Sequence, residues 1–366
     1  MKINLFFFLA RFGLGGAGNS VYRLCSSLNK NKFNINVICL NKCAYESKLK
    51  KKGIKVFKIK SKRTFFSIFK INKLLKKITK KYSKNIFISN INYTNILCAL
   101  FLKKKSGDKL IAIERTPFKE LEIYFGFIDY IKKLIIKFLI RFYYKKFDKI
   151  VCNSKYISTY LKKKYGYKSI TIYPPSIISN KKVGLKKYYY KPKTIIISTI
   201  CRLSKEKAIH EIIYALNYLK LKNIKLKIIG NGPEKKILKN LTKKLNLTKN
   251  VKFYGHKNNI EKYLLKTHLY INSSYFEGFP NSVVEAANLG VPVISSQSHG
   301  GINEILLNGK CGTMYYNGYK NLAFEIQKYL KNPNIFYKKA KLAKKNVSKF
   351  NLINHKKNFE KLLNKI

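Results

Sequence analysis

The sequence predicts an α/β fold made of two domains, each a parallel sheet with helices on both faces. Two series of alternating strand-like and helix-like segments support this prediction, because strands that alternate with helices favour parallel sheets. Residues 173–193, which contain Pro174, Pro175 and Pro192, interrupt the alternation and are the predicted interdomain linker. A chain of 366 residues, 46% of them hydrophobic, is long and apolar enough for two cores.

The first series begins with a short apolar segment that runs into a glycine-rich loop, so we expect a buried strand there and not a signal peptide. The predicted strands are 2–10, 35–40, 56–59, 86–89, 110–113 and 150–152, and the predicted helices are 19–28, 66–82, 129–144 and 158–165. No uncharged run approaches the roughly 20 residues that span a bilayer.

The second series predicts strands at 194–201, 226–229, 251–254, 269–272 and 291–295, and helices at 209–219, 234–245, 322–331 and 352–366. Pro233 lies where proline suits the first turn of a helix. We therefore place one domain at residues 1–175 and the other at 176–349. In such sheets, ligands bind outside the carboxyl ends of the strands.

The chain is strongly basic, with a formal net charge of +61. Such a charge attracts polyanions and anionic membrane surfaces. Lys, Asn, Ile, Phe and Tyr all have A/T-rich codons, so mutational drift on solvated faces is the alternative explanation. The seven cysteines are scattered and form no Cys-x-x-Cys pair, which indicates buried free thiols in a reducing compartment, and neither zinc nor disulfides.

A glycine-rich loop, Gly13-Leu-Gly-Gly-Ala-Gly18, follows the first strand and precedes a helix. Glycines there let the backbone approach a phosphate, and a helix start supplies free N–H groups. A dinucleotide site would also need an acid after the second strand, where the chain has Leu40-Asn-Lys42. A phosphate-approach loop through Gly15 and Gly16 is the preferred interpretation, with a plain tight turn and a dinucleotide loop as alternatives.

Two cations, Arg202 and Lys207, lie in the loop between a strand and the next helix. Positive charge beside a helix N-terminus is unfavourable unless an anion joins it. A diphosphate fits, with Arg202 binding two oxygens in a fork and Lys207 acting as a point charge. Further along, the turn that contains Gly230 and Gly232 predicts either a close backbone approach to a nucleotide or only an efficient turn.

Two acids, Glu277 and Glu285, flank a predicted helix start at Asn281 or Ser282. Carboxylates accept hydrogen bonds from vicinal sugar hydroxyls, and a helix start offers N–H groups to a phosphate. Together, these groups predict a sugar-nucleotide site. The alternative for Glu285 is a capping box with Ser282, in which the acid satisfies only a backbone N–H.

The basic-aromatic stretch 130–146 allows two interpretations. Its alternation of aromatic, aliphatic and basic residues suits a helix that lies in a membrane interface. It equally suits a domain helix whose apolar face is buried.

Taken together, these residues resemble the retaining GT-B glycosyltransferases of family four, which include bacterial lipopolysaccharide, capsule and glycolipid sugar transferases. The likeness covers nearly the whole chain and is most specific in the second domain. The matching motifs are the Gly-Gly loop (Gly15, Gly16), the diphosphate clamp (Arg202, Lys207), the Gly-x-Gly-Pro turn (230–233), the Ser-x-x-Glu-Gly-Phe-Pro-Asn-x-x-x-Glu-Ala signature (274–286), Gly-x-Pro-Val-Ile (290–294) and Gly-Gly-x-x-Glu (300–304).

The resemblance implies a GT-B architecture of two Rossmann-like domains facing a central cleft, with a C-terminal helix at 350–366 that crosses back to the first, acceptor-side domain. It implies a nucleoside-diphosphate sugar as the donor, with uridine as the expected base, and neither metal nor other cofactor. The expected catalytic residues are Glu277, at the sugar hydroxyls, and Arg202 and Lys207, at the leaving diphosphate. The expected donor-binding residues are Gly15, Gly16, Gly230, Gly232, Phe279, Pro280, Asn281, Ser282 and Glu285, the last at the ribose.

The acceptor side departs from the family pattern. Many members carry a histidine in the first-domain cleft, whereas the first histidine of this chain is His210. We expect Glu114 or Arg115, which follow the strand 110–113, to make that contact instead, or the geometry to differ.

The expected function is transfer of a sugar to a hydroxyl of a lipid-linked saccharide or glycolipid, in the synthesis of cell-surface polysaccharide. We expect a cytoplasmic enzyme, peripheral on the inner face of the plasma membrane, whose partners are the donor, that acceptor and an anionic membrane surface, and no nucleic acid. One alternative is a non-hydrolysing sugar-nucleotide 2-epimerase, which shares the architecture. The other is a basic nucleic-acid-binding protein, against which the acid pair and the glycine turns argue.

Overall fold

A computed structural model describes residues 2–79, 84–124, 126–178 and 193–366. Its contacts divide the chain into two compact units. The first unit is Met1–Pro175 with Asn351–Ile366, and the second is Ser176–Phe350. Most of the predicted linker lies outside the described residues.

The first unit is built on a parallel sheet. Its strands are β1 (Ile3–Leu9), β2 (Phe33–Leu40), β3 (Lys55–Ile59), β4 (Asn85–Asn90), β5 (Lys109–Glu114), β6 (Lys149–Cys152) and β7 (Ile170–Thr171). Its helices are α1 (Gly16–Ser27), α2 (Glu46–Lys50), α3 (Thr64–Ile78), α4 (Asn92–Phe101), α5 (Phe127–Tyr143) and α6 (Lys155–Tyr165). The strand order in the described ranges is β3-β2-β1-β4-β5-β6-β7.

The central strand β1 is a continuous apolar run because helices cover both faces of the sheet. Alternate side chains enter opposite cores, so Phe7 packs on one face while Phe6 and Phe8 pack on the other. This arrangement explains why a nearly uninterrupted hydrophobic segment is a strand.

The second unit contains a second parallel sheet and a small pair of strands. Its strands are β8 (Ile195–Ile200), β9 (Ile224–Ile229), β10 (Val251–Gly255), β11 (Leu269–Asn272), β12 (Phe276–Glu277), β13 (Val293–Ser296), β14 (His299–Gly300) and β15 (Thr313–Tyr315). The remaining helices are α7 (Ile209–Leu219), α8 (Lys235–Lys244), α9 (Glu261–Leu264), α10 (Asn281–Asn288), α11 (Ile302–Leu306), α12 (Tyr319–Lys331), α13 (Pro333–Val347) and α14 (Leu352–Leu363), the last belonging to the first unit.

Both sheets have the doubly wound strand order. The second sheet runs β10-β9-β8-β11-β13-β15, and β12 pairs with β14. The chain reverses direction across the sheet between β1 and β4 in the first unit, and between β8 and β11 in the second. The predicted fold class, two α/β domains with parallel sheets, is therefore confirmed.

Several helices differ from their predicted bounds. Helix α1 already begins at Gly16, so part of the glycine loop is its first turn. Helix α8 begins at Lys235, which places Pro233 before the helix and not in its first turn. Helix α14 packs within the first unit, where the rings of Phe359 and Phe7 lie 6.2 Å apart. In the part of the chain that the structure describes, no helix is both long and apolar enough to cross a bilayer.

Candidate functional site

The reversal point of the second sheet brings two loops together. The loop after β8 carries Arg202 and Lys207, and the segment after β11 carries Glu277, at the end of the short strand β12. Because β8 and β11 are neighbours, their carboxyl ends meet at one edge of the sheet. There, Lys207 Nζ lies 2.8 Å from Glu277 Oε1. The structure thus places two of the three predicted catalytic residues in direct contact.

Glu277 is held firmly on one side only. Ser274 Oγ donates a hydrogen bond of 2.8 Å to the same Oε1 atom that pairs with Lys207. The side chain of Glu277 is 15% exposed, and its Oε2 atom makes no hydrogen bond with any described residue. The carboxylate is therefore fixed in position, and one of its oxygens remains able to accept a hydrogen bond from a ligand.

Gly300 positions the backbone of Glu277. Strand β12, which ends at Glu277, pairs with β14, which ends at Gly300. A Cβ atom at Gly300 would lie 1.4 Å from the carbonyl oxygen of Glu277, and the backbone there has a φ of +138°. Only glycine fits this contact, which explains why the second glycine-rich turn follows the acid in the sequence.

Lys207 remains a cation in spite of its burial. Its side chain is only 16% exposed. Burial alone would lower the pKa of Lys207, but the charge of Glu277 and the hydrogen bond to it outweigh burial and raise that pKa above its ordinary value. Ser273 Oγ donates 2.7 Å to the backbone carbonyl of Lys207, which ties the two loops together a second time.

Arg202 differs from Lys207 in being exposed, and it forms no ion pair or side-chain hydrogen bond with the described residues. Its loop is held by the glycine turn after β9. A Cβ atom at Gly230 would lie 1.8 Å from the carbonyl oxygen of Cys201, and one at Gly232 would lie 2.1 Å from that of Leu203. The two glycines are therefore required by the loop that carries Arg202, and their contact with a nucleotide stays a prediction.

The predicted helix start is present, but the capping box is not. Helix α10 begins at Asn281, its N-cap residue is Pro280, and no side chain caps it. Ser282 lies inside the helix, where its Oγ accepts a hydrogen bond of 2.8 Å from Tyr270. The capping-box alternative for Glu285 is therefore wrong. Glu285 lies four residues after Asn281 and shares its helix face.

The residues at the start of α10 are packed in place. Phe279 is 6% exposed, and its ring lies 4.9 Å from that of Phe350 in an edge-on contact. Asn281 Oδ1 accepts a hydrogen bond of 2.7 Å from Ser176. These contacts orient the first turn of α10, and the roles of its backbone in binding a donor stay predictions.

In the first unit, Gly15 and Gly16 form the start of α1. Gly15 is the N-cap residue, both glycines are exposed, and no atom lies within 4 Å of a Cβ built at Gly15. Gly18 is the tightly packed member, because its Cβ would lie 2.1 Å from the carbonyl oxygen of Gly13. The loop presents an open helix N-terminus, and its proposed approach to a phosphate is untested.

Arg115 lies at the carboxyl ends of the strands of the first sheet, as does the glycine loop before α1. Its Nε and Nη2 atoms donate to Asn90 Oδ1 at 3.1 and 3.0 Å, and its Nη1 donates to Ser20 Oγ at 3.0 Å. Burial lowers the pKa of Arg115 to about 10, so it is still charged near neutral pH. Because Asn90 ends β4 and Ser20 belongs to α1, Arg115 bridges the reversal point of this sheet.

Glu114 lies in the core and not at the edge. Its side chain is 0% exposed, and its Oε1 accepts hydrogen bonds from Tyr144 and, at 2.6 Å, from Asn95. Burial raises the pKa of Glu114 to about 7. Direct contact of Glu114 with an acceptor does not fit this position, because its side chain is buried. Adjacent side chains of a strand point to opposite faces, so Glu114 and Arg115 have different surroundings. Of the two candidates, only Arg115 is partly exposed at the carboxyl ends of the strands.

The basic-aromatic helix α5 leaves most of its apolar residues in solvent. Only Lys133 and Ile140 are buried. The exposed large side chains are Phe127, Ile128, Tyr130, Ile131, Leu134, Ile135, Phe138 and Phe142. One face of α5 packs on the core of the first unit through Ile140, Ile136, Leu139 and Tyr143, as the domain-helix interpretation expects, and the other face leaves apolar residues exposed, as the membrane interpretation expects.

The described residues contain neither a disulfide nor a cluster of metal ligands. All seven cysteines are free, five of them buried, which confirms the prediction of free thiols. Across residues 2–79, 84–124, 126–178 and 193–366, no group of three or more His, Cys, Asp or Glu is arranged to hold a metal ion. The expected independence of metal remains a prediction.

Comparison with known proteins identifies the family. Residues 14–179 match the family model described as Glycosyltransferase Family 4, and residues 185–350 match the one described as Glycosyl transferases group 1. The chain is 30% identical over 303 residues to the uncharacterized glycosyltransferase MJ1059 of Methanocaldococcus jannaschii, covering 75% of this chain and 72% of that protein.

A second relative and a solved structure agree. The chain is 28% identical over 330 residues, 87% of each chain, to the N-acetylgalactosamine-N,N'-diacetylbacillosaminyl-diphospho-undecaprenol 4-alpha-N-acetylgalactosaminyltransferase of Campylobacter jejuni. The structure of Anabaena Alr3699/HepE in complex with UDP and glucose superposes with a TM-score of 0.80 over 100% of both chains, at 18% identity. The chain is therefore a member of glycosyltransferase family 4, with the GT-B fold.

Proposed function

We propose that this chain transfers a sugar from a UDP-sugar to a hydroxyl of a lipid-linked saccharide or glycolipid, with retention of configuration, during the synthesis of a cell-surface glycan. The observation that carries this proposal is the pairing of Lys207 with Glu277 at the reversal point of the second sheet, close in the chain to the exposed Arg202. The name of the Campylobacter relative, which includes a diphospho-undecaprenol acceptor, and the UDP in the Anabaena structure support the substrate classes.

The cations suit the leaving group. Breaking the bond between sugar and diphosphate places negative charge on the departing phosphate, so cations fixed nearby stabilise the transition state more than the ground state. Lys207 has three N–H donors and uses one for Glu277. The others can donate to phosphate oxygens, while exposed Arg202 can bind two oxygens in a fork.

Glu277 suits the sugar. With Oε1 held by Lys207 and Ser274, the Oε2 atom can accept a hydrogen bond from a donor-sugar hydroxyl without a change in the position of the carboxylate. Glu285 is the proposed ribose contact. We propose that no divalent metal takes part, since two cations and the N-terminus of α10 offset the charge of the diphosphate.

A transfer assay tests this proposal. Purified protein, a panel of UDP-sugars and a polyprenyl-diphosphate-linked saccharide are incubated in EDTA, UDP release is measured, and the anomeric configuration of the product is determined by NMR. Arg202→Ala should lower kcat/KM about ten- to hundred-fold, as expected for the loss of a charged hydrogen bond of about 1.5–3 kcal/mol. Lys205→Ala is the matched control, because Lys205 is an exposed cation of the same loop.

An unchanged kcat/KM in Arg202→Ala would contradict the role of this residue. Inverted configuration in the product would contradict the proposed stereochemistry. Conversion of the donor sugar into its epimer without an acceptor would instead identify an epimerase.

We also propose that α5 attaches the enzyme to an anionic membrane at the cytoplasmic face. The helix exposes Phe127 and Ile128 by 78% and 70%, and it carries four basic residues against one acid. Apolar side chains between lysines suit the interface of an anionic bilayer. Flotation with anionic vesicles should be lost in Phe127→Ser/Ile128→Ser and kept in Phe324→Ser, whose phenyl group is 57% exposed on α12. Equal flotation of both variants would contradict the proposal.

A further inference from the structure

An array of aromatic rings runs along helix α7, outside the residues assigned to the donor. His210, Tyr214 and Tyr218 follow one another at intervals of four residues and so share one helix face. The ring of Tyr319, at the start of α12, lies 5.7 Å from that of Tyr214 and 6.1 Å from that of Tyr218. At the other end, the ring of Tyr275 lies 6.5 Å from that of His210.

The array borders a cavity of about 370 Å³, within the range of small-molecule sites. The described lining residues are His210, Glu211, Tyr214, Asn217, Tyr218, Gly318 and Tyr319. Glu211 is only 7% exposed, and its Oε2 accepts a hydrogen bond of 3.0 Å from the backbone N–H of Gly318. The cavity therefore has a carboxylate fixed in its wall and aromatic rings around it.

The rings are available to a ligand. Tyr214, Tyr218 and Tyr319 are 37%, 56% and 36% exposed. An exposed ring face packs against the C–H face of a sugar, while phenol, amide and carboxylate groups hydrogen-bond its hydroxyls. Asn217 and Glu211 supply the amide and the carboxylate.

The charges that line the cavity favour a neutral ligand over an anionic one. The chain has 77 Lys and Arg among 366 residues, yet neither type is among the described residues that line this cavity. A nucleotide or an acidic lipid would meet the carboxylate of Glu211 without a counter-charge. A neutral polyhydroxylated ligand meets both the rings and the acid favourably.

We propose that this aromatic cavity is a second carbohydrate site, which binds a neutral saccharide chain. From His210 to Tyr218 the helix rises about 12 Å, which suits a short oligosaccharide. The proposal rests on the proposed function in one respect, namely that the bound chain is part of the acceptor or product glycan. Holding that glycan on the enzyme raises its effective concentration for the next transfer.

Binding of neutral trisaccharides tests the site directly. Maltotriose, isomaltotriose and triacetylchitotriose are titrated at millimolar concentration and followed by saturation-transfer NMR. At least one should bind, and Tyr218→Ala/Tyr319→Ala should weaken that binding about tenfold. Tyr316→Ala is the matched control, because this tyrosine is 73% exposed, does not line the cavity and makes no ring contact with the described aromatic residues. It should bind as the unchanged protein does.

Three results would overturn the proposal: no binding of any of the three trisaccharides, equal binding by the double variant, or displacement of the trisaccharide by UDP. Thermal stabilisation by UDP, measured on the same proteins, separates this proposal from the proposed function. Arg202→Ala should lose the response to UDP and keep trisaccharide binding, whereas Tyr218→Ala/Tyr319→Ala should do the reverse. Failure of the UDP response alone would count against the transferase proposal and leave the carbohydrate site standing.

Discussion

Replacing Glu114 by glutamine should change how the stability of the protein depends on pH. Burial in the core of the first unit raises the pKa of Glu114 from its ordinary value of 4.5 to about 7. The folded state therefore holds this proton more tightly than the unfolded state. The stability contributed by the protonated carboxyl is present below pH 4.5 and is lost as the pH rises to about 7, at a total cost of about 3 kcal/mol. Glutamine has no charge to bury.

The expected effect can be measured by urea unfolding at pH 5 and pH 8. Between these values the unchanged protein should lose about 2.5 kcal/mol relative to Glu114→Gln, because most of the titration of Glu114 lies in this interval. The comparison between the two proteins cancels contributions of other groups. A difference in the free energy of unfolding that is the same at both pH values would refute the reasoning.

Tyr144→Phe provides an independent check. Tyr144 donates a hydrogen bond to Glu114, and this bond opposes the rise in the pKa of the carboxyl. Without it the pKa of Glu114 should rise further, so the loss of stability should extend to higher pH.

Glu114→Gln should also keep its transferase activity, since the carboxyl lies in the core. A folded Glu114→Gln variant without activity would return Glu114 to the acceptor site.

Three further outcomes are expected. Burial lowers the pKa of His355 to about 4, so the stability that neutral His355 contributes is lost as the pH falls from 6.5 towards 4. In urea unfolding, His355→Gln should therefore lose less stability between pH 7 and pH 4.5 than the unchanged protein. Gly300→Ala should abolish thermal stabilisation by the donor, because its Cβ would lie 1.4 Å from the carbonyl oxygen of Glu277. Lys207→Met should lower the free energy of unfolding by about 3 kcal/mol, because it leaves Glu277 without its ion partner. In the same urea assay, the double variant Lys207→Met/Glu277→Gln should recover part of that loss.

Local patterns were sufficient for the donor loops and for the strands other than β7, β12, β14 and β15, which were not predicted. The apolar run of β1 predicts a buried strand because each of its faces meets a core, and the loop position of Arg202 follows from the strand before it. The contact of Lys207 with Glu277 spans 70 residues, and only the neighbouring positions of β8 and β11 bring it about. The resemblance placed both residues at the donor, but not against each other.

Other features depend on partners that no local pattern contains. Glu114 follows the predicted strand 110–113 and was therefore expected to face a ligand, yet its carboxylate is buried and accepts a hydrogen bond from Tyr144, 30 residues later. Helix α13 was not predicted because lysines occur around it, while only a narrow face with Ala340 and Ala343 is buried. The need for glycine at Gly230 likewise arises from the backbone of a loop about 30 residues earlier in the chain.

The most direct test of the donor site is thermal stabilisation by nucleotide sugars in EDTA, compared between the unchanged protein and Arg202→Ala. A ligand at about 100 times its Kd stabilises a protein by about 2.7 kcal/mol. We predict that at least one UDP-sugar raises the Tm of the unchanged protein without metal, and that Arg202→Ala loses most of this rise. No rise with any nucleotide sugar, a rise that requires a divalent metal, or an equal rise in Arg202→Ala would contradict a donor site built on Arg202, Lys207 and Glu277.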